Sequence, residues 1–440
     1  MMMKIAIIGA GISGLSQYLW LRKVGLLDAH SATIYEARDA QGRGATGAAN
    51  LETYNASVIG ASIGLSPTGL HVLRRLDQDL YDEVLRTGHI IRSWRMSNAR
   101  GWTLANSAAG GDDDMMVMIG RDACCRILRD RVPDEAVVRR KVIEARLAEG
   151  SNKPALVFQD HTREEFDLVI GCDGIWSRTR RAMFGAQDRD QYEFSPHYEG
   201  LVGVGGFVPS SKIQGTPDGE MNVALGANGF FGYGYTTGNP QDSSKAGDTV
   251  TWWSTYTLDK CPDDWRNIDK ENVKSELQKR HLEWQNPVIQ NIIRDVEVDS
   301  LYPTFIIPLL PTWEMGGCVL VGDAAHALQP SSGQGASMAL EDCEALALFL
   351  RHHLQGEDPE SGLVKAVKQY SDLRRPRLDM VFKKAQQLAG MKQDMGFVQE
   401  MIMYFFVWLL SRLKVTETYQ RNLSAYDVPT EVSKAIKQVN

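Results

Sequence analysis

Gly322-Asp323-Ala324-Ala325-His326, followed by Pro330 and by Gly333-Gln334-Gly335, closes an apolar run with a carboxylate and then supplies bare backbone amides. The run before it, Gly317-Cys318-Val319-Leu320-Val321, reads as a buried strand. The apolar stretch that starts near Ala336 and continues through Ala345-Leu346-Ala347-Leu348 reads as a helix. A strand, a glycine-rich turn and a helix start make an anion site, because the first N–H groups of a helix lack intrahelical acceptors and its dipole points the same way. Asp323 is then not a phosphate ligand, and a carboxylate at such a strand end is suited to accepting hydrogen bonds from hydroxyls.

The opposite end of the chain carries a matching element. Lys4-Ile5-Ala6-Ile7-Ile8 is a short β-branched strand, Gly9-Ala10-Gly11-Ile12-Ser13-Gly14 a turn, and residues 15–25 an apolar-periodic helix. This is the dinucleotide-binding fingerprint in the strand–turn–helix setting it requires. The strand Thr33-Ile34-Tyr35 ends at Glu36, 22 residues after Gly14 (36 − 14 = 22), where an acidic side chain accepts from the adenosine ribose hydroxyls. A lone G-x-G-x-x-G is weak evidence, Glu36 strengthens it, and a glycine-rich turn that merely packs a helix on a sheet is the alternative.

A third strand, Phe166-Asp167-Leu168-Val169-Ile170-Gly171-Cys172, ends in Asp173-Gly174 and is followed by Ser177 and Arg180-Arg181. Three strand ends closed by small or acidic residues converge on one ligand. On these residues the chain resembles the single-component class A flavin monooxygenases of the para-hydroxybenzoate and salicylate hydroxylase type. The family's motifs match at Gly9, Gly11 and Gly14 with Glu36, at Asp173-Gly174, and at Gly322-Asp323 with Pro330, Gly333 and Gly335, in order over nearly the whole chain.

The resemblance implies a resident, non-covalent FAD and a visiting NADPH or NADH. A flavin C4a-hydroperoxide would then hydroxylate or epoxidise an aromatic or polycyclic small molecule with dioxygen. It places the Asp323 carboxylate on the ribityl hydroxyls and the amides of 333–335, with Ala336, at the flavin ring. Pro330 would hold that loop rigidly, and Arg121, opening a helix over 122–131, would lie over the cofactor. It also brings the stretch 42–50 near the isoalloxazine, leaving open whether Arg43, Ser62 or a neighbour touches it.

The implied fold is α/β: a Rossmann-type FAD-binding domain with an inserted antiparallel-sheet substrate domain and C-terminal helices. Residues 1–75, 110–190 and 296–361 form the discontinuous FAD-binding domain, with a hairpin around 150–152. Residues 76–109 and 191–295 form the substrate domain, with strands at 201–208, 221–225, 230–237 and 249–257, a polar loop at 238–248 and a helix at 270–284. Residues 362–440 are helical.

Composition agrees with such an enzyme. At 440 residues and 43% hydrophobic content the chain can bury a large core, and a net charge of −7 without a basic run disfavours nucleic acid. Six cysteines show neither a C-x-x-C pair nor histidine-associated spacing, so no disulfide framework and no metal site is expected. No signal-like segment precedes the first strand, which points to cytoplasmic residence. The apolar run 401–410 is half a membrane span and is expected to face the core rather than a bilayer.

Substrate contacts follow from strand alternation. Gly203 and Gly205 share one face of their strand, and Gly232 and Gly234 share one face of theirs, which suggests a ledge for a broad, flat ligand or else a twisted, bulged sheet. The phenols of Tyr233 and Tyr235 are candidates for contacting substrate, with ordinary core packing as the alternative. The strand around 200–207 lacks an ionisable group, so a neutral apolar substrate, as in secondary metabolism, fits better than a carboxylate. His326 reads as structural. A flavin halogenase would carry a W-x-W-x-I-P segment, which Trp252-Trp253-Ser254-Thr255 is not. A flavin-dependent reductase of isoprenoid double bonds and a non-catalytic flavoprotein binding module remain as other classes.

Overall fold

The structure is a computed structural model that describes residues 2–37, 62–147, 153–185, 192–213, 215–262, 269–298, 300–328, 333–356, 358–389 and 394–439. The stretch 42–50, Arg43, the turn at 150–152 and Pro330 lie outside the described residues.

A six-stranded sheet runs in the order Glu314–Met315, Cys318–Leu320, Leu168–Gly171, Lys4–Ile8, Ser31–Glu36, Val137–Arg139. All pairs are parallel except the first, which forms an antiparallel edge. Ile5, Ile7, Val169, Ile170, Val319 and Leu320 are buried, as a parallel sheet covered on both faces requires. The helix Ile12–Lys23 starts three residues earlier than the periodicity suggests, because the Leu15 amide already donates to the Gly11 carbonyl at 3.0 Å. Helix Arg121–Arg129 ends two residues early, where the Arg131 guanidinium turns back onto the Ile127 carbonyl.

A second sheet of seven strands runs Ser300–Ile306, His197–Pro209, Thr249–Thr257, Gly229–Tyr235, Glu220–Gly226, Ser93–Asn98, Thr103–Ala108. It is antiparallel except between Glu220–Gly226 and Ser93–Asn98. That parallel pair arises because the chain lays down 93–98, leaves for the first sheet, and returns at 197. One face packs Val202, Val204, Phe231, Tyr233, Trp252 and Tyr256 beneath the helices Lys270–His281 and Pro287–Arg294. The expected helix over 270–284 ends at His281, and a second helix, Pro287–Arg294, follows it, capped by the Asn286 side chain. The expected loop 238–248 contains a small hairpin, Gly238–Asn239 with Asp242–Ala246.

Between the two sheets lies a three-stranded layer, Ser62–Leu65, Met116–Gly120 and His89–Ile91. The C-terminal part is helical: Gly335–His353, Pro359–Ala389, Phe397–Arg412, Val415–Ser424 and Val428–Val439. Among the described residues no helix is long and apolar enough to cross a membrane. The segment 401–410 departs from expectation, since only Tyr404 and Val407 of it are buried while most of its apolar side chains face outward.

Beneath the second sheet, His281 is fully buried with its Nε2 2.7 Å from the Ser254 hydroxyl. Burial, and then the neighbouring Arg280 charge, lower its pKa to about 3. A folded pKa below the unfolded one means the stabilising contribution is complete above about pH 6.5 and fades as pH falls towards the folded value. Stability should therefore drop by about 2 kcal/mol between pH 7 and pH 5. Denaturant midpoints across that range check this, and His281→Gln should flatten the dependence.

Candidate functional site

The strands Lys4–Ile8, Leu168–Gly171 and Cys318–Leu320 are adjacent and parallel, so the three turns that follow them emerge on one sheet edge, with Glu36 ending the next strand. Ligands of such sheets bind beyond the carboxyl ends of the strands.

The first turn divides its glycines between two tasks. Gly9 has φ +99°, donates its amide to Tyr35 O at 2.8 Å, and a Cβ there would lie 2.6 Å from the Cys172 carbonyl oxygen. A Cβ on Gly14 would sit 1.9 Å from the Gly9 carbonyl oxygen, so that glycine lets helix and strand touch. A Cβ on Gly11 would meet no atom of the described residues within 4 Å. That clear space lies before the uncapped start of Ile12–Lys23, where free amides and the helix dipole favour an anion. Glu36 Oε2 accepts the Ala10 amide at 2.7 Å, fixing the turn on the neighbouring strand.

In the second turn Asp173 is engaged by the chain itself. Its carboxylate accepts the Ser177 hydroxyl at 2.6 Å and the Arg178 and Thr179 amides at 2.7 and 3.1 Å, so it holds the start of helix Arg178–Phe184. Gly174, at φ +74°, has open space beside it. The buried Arg180 guanidinium donates to Ala324 O at 2.9 Å, to Phe194 O at 3.2 Å and to Ile175 O, tying the second turn to the third.

In the third turn Gly322 adopts φ +63° against Ser13, whose Oγ would lie 2.4 Å from a Cβ, and Asp323 is exposed. Among the described residues, no donor is hydrogen-bonded to the Asp323 carboxylate. Among the described residues nothing lies within 4 Å of a Cβ at Gly333, which has φ +61°, or at Gly335, and Gly335 begins the helix Gly335–His353, which has no side-chain cap, with Ala336 in its first turn. His326 is structural: its Nε2 contacts Asp342 Oδ2, which also accepts the Gly322 amide at 3.1 Å. Burial alone would raise the Asp342 carboxyl, but His326 and Arg374 outweigh it and hold the pKa below the ordinary range.

Across from these turns lies the second sheet. Gly203 pairs with Thr255 and Tyr302, and Gly205 with Trp253, which pairs in turn with Gly232; Gly234 pairs with Thr251. All these side chains share the face away from the two covering helices. The four glycines are not equally open. The Trp253 indole fills the space at Gly232, 2.3 Å from where a Cβ would be, and Met118 Sδ lies 3.3 Å from the corresponding point at Gly234. Tyr233 and Tyr235 project to the opposite face. Tyr233 is buried, accepting from Asn286 Nδ2 at 3.3 Å, and Tyr235 packs against the His89 ring at 5.4 Å. The tyrosines and the glycines therefore cannot line one pocket.

Tyr302 stands on the glycine face, a placement the sequence reading missed. Burial pushes its phenol up to about 12, with Asp323 adding to the rise and Arg121 opposing it, so it lies within electrostatic reach of both cofactor-motif residues. Alternation along 300–306 could have oriented it, but nothing local told that this strand pairs with 197–209. Ser62 bridges the layers, its hydroxyl 2.8 Å from Thr236 Oγ1. Among the described residues no cluster could hold a metal ion.

A family model described as FAD binding domain matches residues 114–385. Among curated proteins, a chloroplastic zeaxanthin epoxidase of Oryza sativa subsp. japonica is 27% identical over 399 residues, covering 86% of this chain and 54% of that protein. An FAD-dependent monooxygenase, penM, of Penicillium crustosum is 27% identical over 340 residues, covering 74% of this chain and 69% of its own length. The chain thus spans about half the length of the zeaxanthin epoxidases it matches. Among solved structures, a salicylate hydroxylase substrate complex superposes with a TM-score of 0.73 over 99% of this chain and 98% of that one, at 19% identity, a likeness of fold.

Proposed function

We propose that this chain, which belongs to the FAD binding domain family, is an FAD-dependent monooxygenase acting on a neutral, apolar aromatic or polycyclic small molecule. The observation that carries the reading is the space at Gly11, Gly333 and Gly335, open among the described residues, before two uncapped helix starts, set against a sheet face built of Gly203, Gly205, Trp253 and Thr255. Glycines required by chain packing, Gly9, Gly14 and Gly322, stand directly beside them. The residues present thus fit FAD: a Cβ at the open positions would fill its cradle.

Gly11 and the first amides of Ile12–Lys23 hold the diphosphate, Glu36 the adenosine ribose and Asp323 the ribityl hydroxyls. The amides of 333–335, at a helix N-terminus, stabilise negative charge at the pyrimidine end of the ring. FAD, when bound, supplies the two-electron chemistry by which one atom of dioxygen reaches an organic substrate, with NADPH or NADH as the transient reductant. The rows through Gly203, Gly205 and Trp253 exclude water and seat a flat substrate. Tyr302 keeps its proton at neutral pH, so it serves as a hydrogen-bond donor and not as a base. Two large cores support a discontinuous FAD-binding part and a substrate part, although Leu80, Val84 and Ile90 of the stretch 76–109, and Tyr370, Leu378 and Val432 of the C-terminal helices, pack in the first core. Six cysteines outside any disulfide fit a reducing compartment, and cytoplasmic residence in a secondary-metabolic role belongs to the proposal.

The test is anaerobic flavin reduction by NADPH with a panel of apolar polycyclic compounds. At least one is expected to accelerate reduction, whereas acceleration only by charged carboxylates would overturn the substrate class. Tyr302→Phe should keep FAD and folding while substrate-stimulated reduction falls roughly tenfold, the worth of one buried hydrogen bond. Unchanged stimulation in that variant would remove Tyr302 from the site.

A further inference from the structure

The helix Phe397–Arg412 is anchored by a narrow stripe. Glu400, Tyr404 and Val407, at spacings of four and three, face the protein. The Tyr404 hydroxyl donates to Leu225 O at 3.0 Å, and Val407 packs with Leu104 and Leu225. Met401 and Met403 flank that stripe partly buried, and most of the remaining surface is apolar and open. Ile402 is 51% exposed, Phe405 55%, Phe406 53% and Trp408 41%. Leu413 continues the surface beyond the helix end, and Phe397 begins it. Isolated exposed apolar residues are ordinary, but a contiguous helical surface of this kind marks an interaction site.

Basic side chains flank its C-terminal end. Glu400 within the helix is buried, Arg412 and Lys414 are exposed, and Asp394, just before the helix, is held by Arg280 at 2.7 Å. At the other end, the Arg100 guanidinium lies over the rings of Phe397 and Trp102, at 5.3 and 6.0 Å, and the exposed Trp102 extends the apolar surface. In a chain of net charge −7 this patch joins aromatic and aliphatic side chains with basic residues at both ends.

We propose that this helix docks the protein, lying in the plane of the interface, on an anionic lipid bilayer. A surface helix with phenylalanine, tryptophan and leucine on one side and arginine or lysine at its margins binds that interface by apolar burial together with attraction to anionic headgroups. At 16 residues it is about 24 Å long, too short to span the hydrocarbon core. A second copy of the chain is a poorer occupant. An antiparallel two-fold contact brings Arg412 and Lys414 of one copy towards Arg100 at the other end of its partner, where Asp394 is already held by Arg280.

Docking also suits the active site, a consequence that rests on the monooxygenase reading. Leu225 and Phe230, on the glycine face of the second sheet, belong to the apolar cluster that Tyr404 and Val407 close. The helix thus caps one end of the face on which the substrate is seated. An apolar polycycle dissolved in lipid would meet the protein there without crossing water.

The experiment uses the full FAD-loaded chain in a flotation assay. One set of vesicles is phosphatidylcholine alone and the other mixes it with phosphatidylglycerol. The chain is expected to float with the mixed vesicles, and raised salt should weaken the binding. Arg412→Ala with Lys414→Ala should lower binding at least tenfold. Phe405→Glu, at an exposed position, should abolish it while FAD content and the unfolding midpoint stay at wild-type values. Wild-type chain that floats with neither vesicle overturns the proposal, as does binding indifferent to these substitutions. A dimer that Phe405→Glu dissociates, without vesicle binding, would assign the surface to a second copy. Vesicle binding requires no turnover, so its failure is distinct from failure of the monooxygenase reading.

Discussion

Gly14→Ala is expected to yield unstable, colourless protein, whereas Gly11→Val is expected to fold normally and lose FAD. The two positions lie three residues apart in one turn but face different neighbours. A methyl at 14 would be placed 1.9 Å from the Gly9 carbonyl oxygen, an approach no rotamer relieves, since both partners are backbone. Helix Ile12–Lys23 must then move off the central strand, disturbing Ile7 and Leu15 in the core beneath, at a cost of about 3 kcal/mol or more. At Gly11 a side chain meets no atom of the described residues within 4 Å, so the fold tolerates it, but it occupies the space where the diphosphate must approach the helix amides. Retention should fall by about a hundredfold, close to 3 kcal/mol. Flavin absorbance per chain and a denaturation midpoint, measured on both variants, separate the effects. Stable, yellow Gly14→Ala protein would show that the turn is not built this way.

Arg374→Ala should be the most damaging substitution outside the strand ends. Arg374 is buried beneath the third turn and donates to Asp342 Oδ1 at 2.8 Å and to Glu341 Oε2 at 2.7 Å, with Arg377 holding Glu341 at 3.0 and 3.1 Å. Removing it strands carboxylate charge in the core, a loss of about 3–5 kcal/mol. Because Asp342 also accepts the Gly322 amide, FAD retention should fall with stability. The pH dependence gives an independent check. In the wild type the Glu341 and Asp342 pKa values are lowered by Arg374 and its neighbours in spite of burial. Their contribution is therefore present above the unfolded carboxyl pKa near 4 and is lost as pH falls below it. In the variant, burial without Arg374 raises these carboxyls, so the folded state gains protons first and the stability gap should narrow from pH 7 to pH 5. A gap that stays constant or widens would count against this reading of the cluster.

The strand ends were legible because their constraints are local. Ile5-Ala6-Ile7-Ile8 and Val319-Leu320-Val321 are apolar on both faces, as only covered parallel strands are, and glycines follow where a side chain has no room. The separate tasks of Gly11 and Gly14 were not legible, since they depend on the Gly9 carbonyl and on empty space, neither of which has a sequence signature. The pairing of 300–306 with 197–209 is long-range, so Tyr302 stayed hidden while Tyr233 and Tyr235 drew attention. The pairs Gly203, Gly205 and Gly232, Gly234 were visible, but the register that lays the Trp253 indole over Gly232 was not. Residues 401–410 read as core because apolar composition was taken for burial. In the structure, Glu400, Tyr404 and Val407 seat the helix, Met401 and Met403 are partly buried beside them, and most of the remaining apolar side chains are left outside.

The most direct test of the monooxygenase assignment is turnover under isotopically labelled dioxygen with NADPH, using the compound that accelerates flavin reduction most, with product analysed by mass spectrometry. One labelled oxygen atom in the product, with oxygen uptake matched to NADPH consumed, is the expected result. Product that gains hydrogen and no label, or label arriving only from solvent water, would contradict it and place this FAD site in a different chemistry.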